Sequence, residues 1–376
     1  MTYRERELPF LNWKNFLTGN IMVTGVMEVL ENIRKMNPGR KIKIMNFCGT
    51  HEHEISRHGI RSVLPEWIEL IAGPGCPVCV CGEGEIRAAI ELASRGINVL
   101  TYGDMMRVPV RMNGNVTSLE KARATGAKVG VVTSPLDALS IATKSNEDFV
   151  FFSVGFETTT APLAGLLERG VPDNLKILTA HKLTPPALDL LIKDEDVILD
   201  GILAPGHVST ITGSMEWRRF AEDYGIPTVI AGFTPGQILE AIYRLVLQIK
   251  NGEAKLENVY RGIVTEHGNT RAKMLMEKHL YIDKAWWRGI GEIEKSGFYL
   301  KSRDIDAVHF YGLEVKNEEN DMLPGCSCRD VVLGKKLPKD CPLFGKACTP
   351  DDPKGPCMVS SEGACSAWFH YLREDI

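Results

Sequence analysis

Apolar positions along the chain fall into two alternating patterns. Short runs rich in β-branched residues, "IKIMNF" (42–47), "IELIA" (68–72), "INVLT" (97–101) and "KVGVV" (128–132), read as buried strands. A second set follows at "FVFFSV" (149–154), "KILTA" (176–180), "DGILA" (200–204) and "PTVIA" (227–231). Between them lie helical stretches such as "GEIRAAIELASRG" (84–96), where Ile86, Ala89, Ile90 and Ala93 share one face. Strand–helix alternation predicts an α/β protein with parallel sheets. The two sets read as Rossmann-like domains facing a cleft, residues 37–127 and 128–245, matched in pattern like a diverged duplication. Beyond 245 the pattern changes. "VTEHGNTRAKMLMEKHL" and "AWWRGIGEIEKSG" read as helices, and a loop-rich segment follows. Residues 246–376 are therefore expected to form a helical, cysteine-rich third domain, with 1–36 as a candidate to pack on it.

One rule organises the polar stretches. In open α/β sheets, ligands bind beyond the carboxyl ends of the strands. "CGTHE", "GPGCPVC", "GFETTT", "AHKLTPP", "APGHVSTI" and "GFTPGQ" each follow an expected strand. Two facing domains would bring these loops to one cleft. Strand-to-helix turns favour Gly, Pro, Ser and Thr anyway, which leaves Cys48, His51, Cys76, Cys79, Glu157, His181 and His207 as the residues that turn chemistry does not explain.

Composition narrows the partners. The 376 residues are 44% hydrophobic and 24% charged, an ordinary globular mix. Net charge is −4 with no basic block, so nucleic acid is not expected. No apolar run reaches the roughly 18 residues of a membrane span. "MTYRERELPF" has no apolar export core, so a cytoplasmic location is expected.

The ten cysteines fall into two groups, Cys48, Cys76, Cys79 and Cys81, then Cys326, Cys328, Cys341, Cys348, Cys357 and Cys365. Reduced cytosolic thiols clustered in this way point to metal or redox chemistry. The second group has the spacing C-x-C-x12-C-x6-C-x8-C-x7-C. It matches neither paired zinc knuckles nor ferredoxin spacings. Four ligands and two spare thiols would suit an iron–sulfur cluster beside a disulfide, and zinc is the competing reading. "GPGCPVCVCG" carries a C-x-x-C dithiol, Cys76 and Cys79, immediately before a helix; Cys81 has no assigned role.

At "FCGTHEHEI" (47–55), Cys48 stands where a helix begins. The helix dipole would favour its thiolate, with His51 on the same face. Thr50 could hydrogen-bond a ligand, and His51 or Glu52 could move protons. Glu157 reads either as a base or partner of His51, or as a helix-cap carboxylate. His181 and His207 are candidate proton carriers in the same cleft.

Together "FCGTHEHEI", "GPGCPVCV", "GFETTTAP", "APGHVS" and the tail from "LPGCSCRDVVLG" resemble the HypD family of hydrogenase maturation factors, over most of the chain. The resemblance implies a scaffold that assembles the iron centre of [NiFe]-hydrogenases, carrying two cyanides and one carbon monoxide, with the partners HypC and HypE. It implies a [4Fe-4S] cluster on Cys326, Cys341, Cys348 and Cys365, by similarity to ferredoxin:thioredoxin reductase. Cys328 and Cys357 would then be the adjacent redox pair. Iron would sit on the Cys48 thiolate, and electrons would pass through Cys328/Cys357 and Cys76/Cys79. Two other readings are a free-standing iron–sulfur disulfide reductase acting on a thioredoxin-like partner and a zinc-stabilised binding protein.

Overall fold

A computed structural model of the chain describes residues 23–319 and 321–372. The strands, in chain order, begin with β1 (Ile42–Asn46), β2 (Ile68–Ala72) and β3 (Asn98–Thr101). A small hairpin follows, β4 (Val110–Met112) and β5 (Asn115–Thr117), then β6 (Val129–Val131), β7 (Phe149–Gly155) and β8 (Leu175–Lys182). The last five are β9 (Gly201–Pro205), β10 (Thr228–Ala231), β11 (Leu256–Asn258), β12 (Leu280–Trp287) and β13 (Gly291–Leu300). All eight expected strands form, and the helix expected at 84–96 spans Glu83–Ser94.

The strands do not form two consecutive sets. One sheet has the order β11-β10-β9-β1-β2 and is parallel throughout. The other has the order β12-β13-β8-β7-β3-β6. The chain starts the first sheet, leaves to build the second, and returns at β9. Periodicity marks each strand but not its neighbour, so sheet membership was not readable from it. Each sheet has a switch point where the chain departs in opposite directions, between β1 and β9 in the first and between β3 and β7 in the second. Such points are where α/β sheets hold ligands. "CGTHE" leaves β1, "PGHVS" leaves β9 and "GFETTT" leaves β7.

Residues 285–297 are not a helix. They form most of an antiparallel hairpin, β12–β13, that extends the second sheet along the edge of β8. Gly289 and Gly291 take positive φ at its turn (77° and 120°), which breaks the helical register. An unpaired parallel edge at β8 supplied a partner that local pattern could not reveal.

The helix Val23–Lys35 packs with Ile42, Ile44 and the helix Pro235–Asn251 on the first sheet, through Val26, Leu30 and Ile33. Of the stretch 1–36, a candidate to pack on the cysteine-rich tail, residues 1–22 fall outside the described residues. The tail is not a satellite. Cys328, Val331, Cys357, Cys365 and Trp368 join one core with Met45, Cys76, Cys79, Val80 and Phe152, residues from both sheets and from the "CPVC" loop. A segment unable to build its own core is stabilised by insertion into a larger one.

Candidate functional site: a thiol array between two sheets

Asn46 ends β1, and the helix Gly49–Arg57 starts immediately after Cys48. The loop after β2 runs back against it, with the Gly49 N–H donating to the Gly75 carbonyl at 2.9 Å. A Cβ on Gly75 would sit 2.5 Å from the Cys48 nitrogen, and one on Gly49 would sit 2.6 Å from the Glu362 Cβ. Only glycine permits this approach. Cys48, Cys76, Cys79 and Cys357 consequently line one small cavity, about 10 Å³, with Glu52 and Glu362.

The thiols form a continuous series. Cys79 lies beside Cys357 in that cavity, and its N–H donates to the Cys76 Sγ at 3.3 Å. Cys357 also contacts Cys328 and Cys365, and Cys328 contacts Cys326. All ten cysteines are free thiols. Cys341 and Cys348 each receive a backbone N–H, from Ser327 (3.5 Å) and Lys354 (3.3 Å). Cys81 is fully buried, outside the series, and its thiol lies 3.9 Å from the Gly82 carbonyl.

Cys48 is partly buried. Burial and the neighbouring Glu362 carboxylate push its thiol up to about 12, against N–H and hydroxyl contacts from His51 and Thr50. The helix N-terminus does not make it a thiolate, contrary to expectation, because desolvation outweighs the dipole. Burial likewise holds Cys79 well above the ordinary thiol range.

His51 does not face the cavity. It is fully buried, with Nε2 3.0 Å from the Gly232 carbonyl and its ring stacked on Phe233 (centroids 4.6 Å apart). His207 also stacks on Phe233, with centroids 3.6 Å apart. Burial lowers His51 to about 4, and its Nδ1 has no hydrogen-bond partner.

Glu52 is an anchor rather than a proton carrier. It accepts from Asn46 Nδ2 (2.7 Å), pairs with Arg61 (2.7 Å) and accepts from Trp368 Nε1 (2.9 Å). Those bonds fasten the "CGTHE" helix to the terminal helix Ala364–Tyr371, while Arg61 lies over the Trp368 ring. Thr50 Oγ1 donates to Glu362 at 2.9 Å.

Three expected cleft residues lie elsewhere. Glu157 is not a partner of His51. It is buried in the second sheet's half, where it accepts from the Thr184 N–H (2.9 Å) and hydroxyl (3.0 Å), capping the helix Thr184–Ile192. The cap reading holds, for a different helix from its own. Burial raises its carboxyl to about 7. His181 sits in the core of the second sheet, held between the Ser153 and Thr160 hydroxyls at 2.7 Å each. Burial lowers it to about 3, so it is a neutral core histidine. His207 is at the surface. Neither histidine lines the Cys48 cavity: His181 belongs to β8 in the other sheet, and His207, although it follows the neighbouring strand β9, lies at the surface against Phe233.

Glu362, Arg61, Trp368 and Asn46 were not singled out in the sequence. The one available signal was Glu362, a charged residue between Cys357 and Cys365 in an otherwise small-residue stretch. Among the described residues, no three His, Cys, Asp or Glu side chains converge to hold a single metal ion. No helix among them is long and apolar enough to cross a membrane.

Fold and site together define an α/β protein built around a buried array of free thiols at a sheet switch point. A family model described as HypD, hydrogenase formation hypA family, matches residues 24–372. The chain is 42% identical over 351 residues to the hydrogenase maturation factor HypD of Azotobacter vinelandii, covering 90% of this chain and 91% of the relative. It is 42% identical over 339 residues to a putative hydrogenase expression/formation protein of Methanocaldococcus jannaschii, covering 89% and 93%. The HypD of Cupriavidus necator is 39% identical over 350 residues, covering 89% and 91%. The chain belongs to the HypD family of hydrogenase maturation factors.

Proposed function

We propose that the chain is a redox-active scaffold on which the Fe(CN)2CO centre of [NiFe]-hydrogenases is assembled, with HypC and HypE as partners. The observation that carries this reading is the contact of Cys79 with Cys357 in the cavity that Cys48 also lines. The iron is cargo. Cys48 would hold it, and because its thiol is protonated, uptake releases a proton and weakens as pH falls. One thiol is a poor cage for iron, which favours a second ligand from HypC.

A [4Fe-4S] cluster suits Cys326, Cys341, Cys348 and Cys365. The donors are soft, and backbone N–H groups already face the Cys341 and Cys348 sulfurs. Room is kept at Cys326 by Gly355, where a Cβ would lie 2.6 Å from the Cys326 Sγ. When bound, such a cluster supplies single electrons.

The chain's own thiols perform a balanced exchange. The Cys357 thiolate attacks Cys79 of a Cys76–Cys79 disulfide, and Cys76 leaves as a thiolate that takes a proton. The Cys328 thiolate then attacks Cys357 and releases Cys79. Two electrons move from the Cys328/Cys357 pair to the "CPVC" pair beside Cys48. The contact order Cys328, Cys357, Cys79, Cys76 supports this sequence.

Anaerobic purification with iron, sulfide and zinc analysis tests the cluster. About four irons and four sulfides per chain, lost in Cys326→Ala, are expected; zinc without colour would overturn the redox reading. Cys79→Ala should keep the cluster yet stop hydrogenase maturation. Undiminished maturation would sink the relay, and disulfide turnover without HypC would favour a free-standing reductase.

A further inference from the structure

The largest buried charge that the proposed chemistry does not use is Arg288. It sits at the β12–β13 turn and is 1% exposed. Its backbone N–H donates to the carbonyl of Val80, the residue after Cys79 (3.0 Å). Its Nη2 pairs with Glu83 Oε1 (2.8 Å), the first residue of the helix that follows "CPVCVCG". The same nitrogen donates to the Pro109 carbonyl (2.9 Å) and the Asp321 carbonyl (3.1 Å), and Nε also reaches Asp321 (3.2 Å).

The turn is seated on the tail as well. The Asp321 carboxylate accepts from the Gly289 N–H (3.1 Å) and from Trp286 Nε1 (3.1 Å). Gly289 has φ 77°, and a Cβ there would lie 2.9 Å from the Met322 Cε and 3.3 Å from the Arg329 Cα. Arg329 adjoins Cys328. Through Glu83, four residues after Cys79, one guanidinium thus joins the start of the helix that follows Cys76 and Cys79 to the segment leading into Cys326 and Cys328. These segments lie more than 200 residues apart, and Arg288 and Glu83 are separated by 205.

We propose that Arg288 is a positioning residue for thiol exchange: a clasp that holds the "CPVC" loop against the cysteine-rich tail, so that the Cys79 sulfur meets Cys357. This rests on the thiol-relay reading. The fork geometry of arginine matters because three acceptors on different segments are engaged at once. A contact within one loop, Cys76 with Cys79, does not need the clasp. A contact between segments does.

The test uses the full-length chain, purified anaerobically, as wild type and as E83Q/R288Q, which removes both buried charges together. A short bis-alkylating thiol crosslinker reports whether Cys79 touches Cys357. Equilibration with oxidised and reduced glutathione, with peptide mapping, gives the constants for the Cys79–Cys357 and Cys76–Cys79 disulfides. Each disulfide forms by loss of two protons and two electrons to glutathione disulfide. The clasp predicts that crosslinking and the Cys79–Cys357 constant fall at least tenfold in the variant, about 30 mV for a two-electron couple. The Cys76–Cys79 constant stays at its wild-type value. Both constants unchanged, or both falling together, would overturn the proposal. Wild type that crosslinks without forming the Cys79–Cys357 disulfide would refute the relay, and the crosslink yield of the variant would still decide the clasp. If the double variant does not fold, R288K serves: it keeps the charge beside Glu83 but reaches fewer carbonyls. Its crosslink yield should fall, and a yield equal to wild type would refute the clasp.

Discussion

At the residue scale the site is governed by desolvation. Cys48 keeps its proton because burial and the Glu362 carboxylate both disfavour the thiolate. Glu362→Gln removes the repulsive charge, so the Cys48 titration should move down from about 12 toward the ordinary thiol value. The pH dependence of Cys48 alkylation, read by mass spectrometry, measures it; an upward move would contradict the assignment. Glu52 shows the opposite arrangement, a buried carboxylate matched by three donors. Glu52→Ala leaves Arg61, Asn46 and Trp368 without their acceptor and should cost about 3–5 kcal/mol, the usual penalty for breaking a buried pair. Chemical denaturation checks this. "CGTHE" was visible as a dense polar motif, but its division of labour was not. Cys48 faces the cavity, His51 packs on Phe233, and Glu52 binds the terminal helix, because successive helical positions point in different directions.

At the scale of elements, close backbone approach is the controlling feature. Gly75→Ala would place a Cβ 2.5 Å from the Cys48 nitrogen, so the β1 and β2 loops must separate. Crosslinking between Cys48 and Cys76 should drop sharply, with stability falling by about 1–3 kcal/mol from overpacking. Glu157 illustrates linkage between two helices. Burial raises its folded carboxyl to about 7, above the ordinary value of 4.5. The folded state therefore binds the extra proton between those values, and stability from this group is present below about 4.5 and lost as pH rises through about 7. The full effect is on the order of 3 kcal/mol. Glu157→Gln should abolish that decline in denaturation measured between pH 5 and 8; an unaltered slope would reject it. The helix expected at 285–297 failed for an element-scale reason. Its residues carry enough apolar surface for either form, and the open edge of β8 selected the hairpin.

At the scale of the whole molecule, the cysteine-rich tail functions as the keystone between two interleaved sheets. Limited proteolysis should therefore find residues 326–365 protected in the folded chain, and cleavage there before global unfolding would show that the tail is separable. The sequence alone determined eight of the strands, the α/β class, the family resemblance and the two groups of cysteines. Each of these rests on local composition and spacing. It could not determine which strands share a sheet, since periodicity reports a face and not a neighbour. Nor could it show that Glu157 and His181 lie apart from Cys48, or that Arg288 and Glu362 stand beside the thiols. Those relations depend on backbone approaches and buried pairs spanning some 200 to 300 residues. Only the folded chain, where burial makes a charge need its partner, brings such residues together.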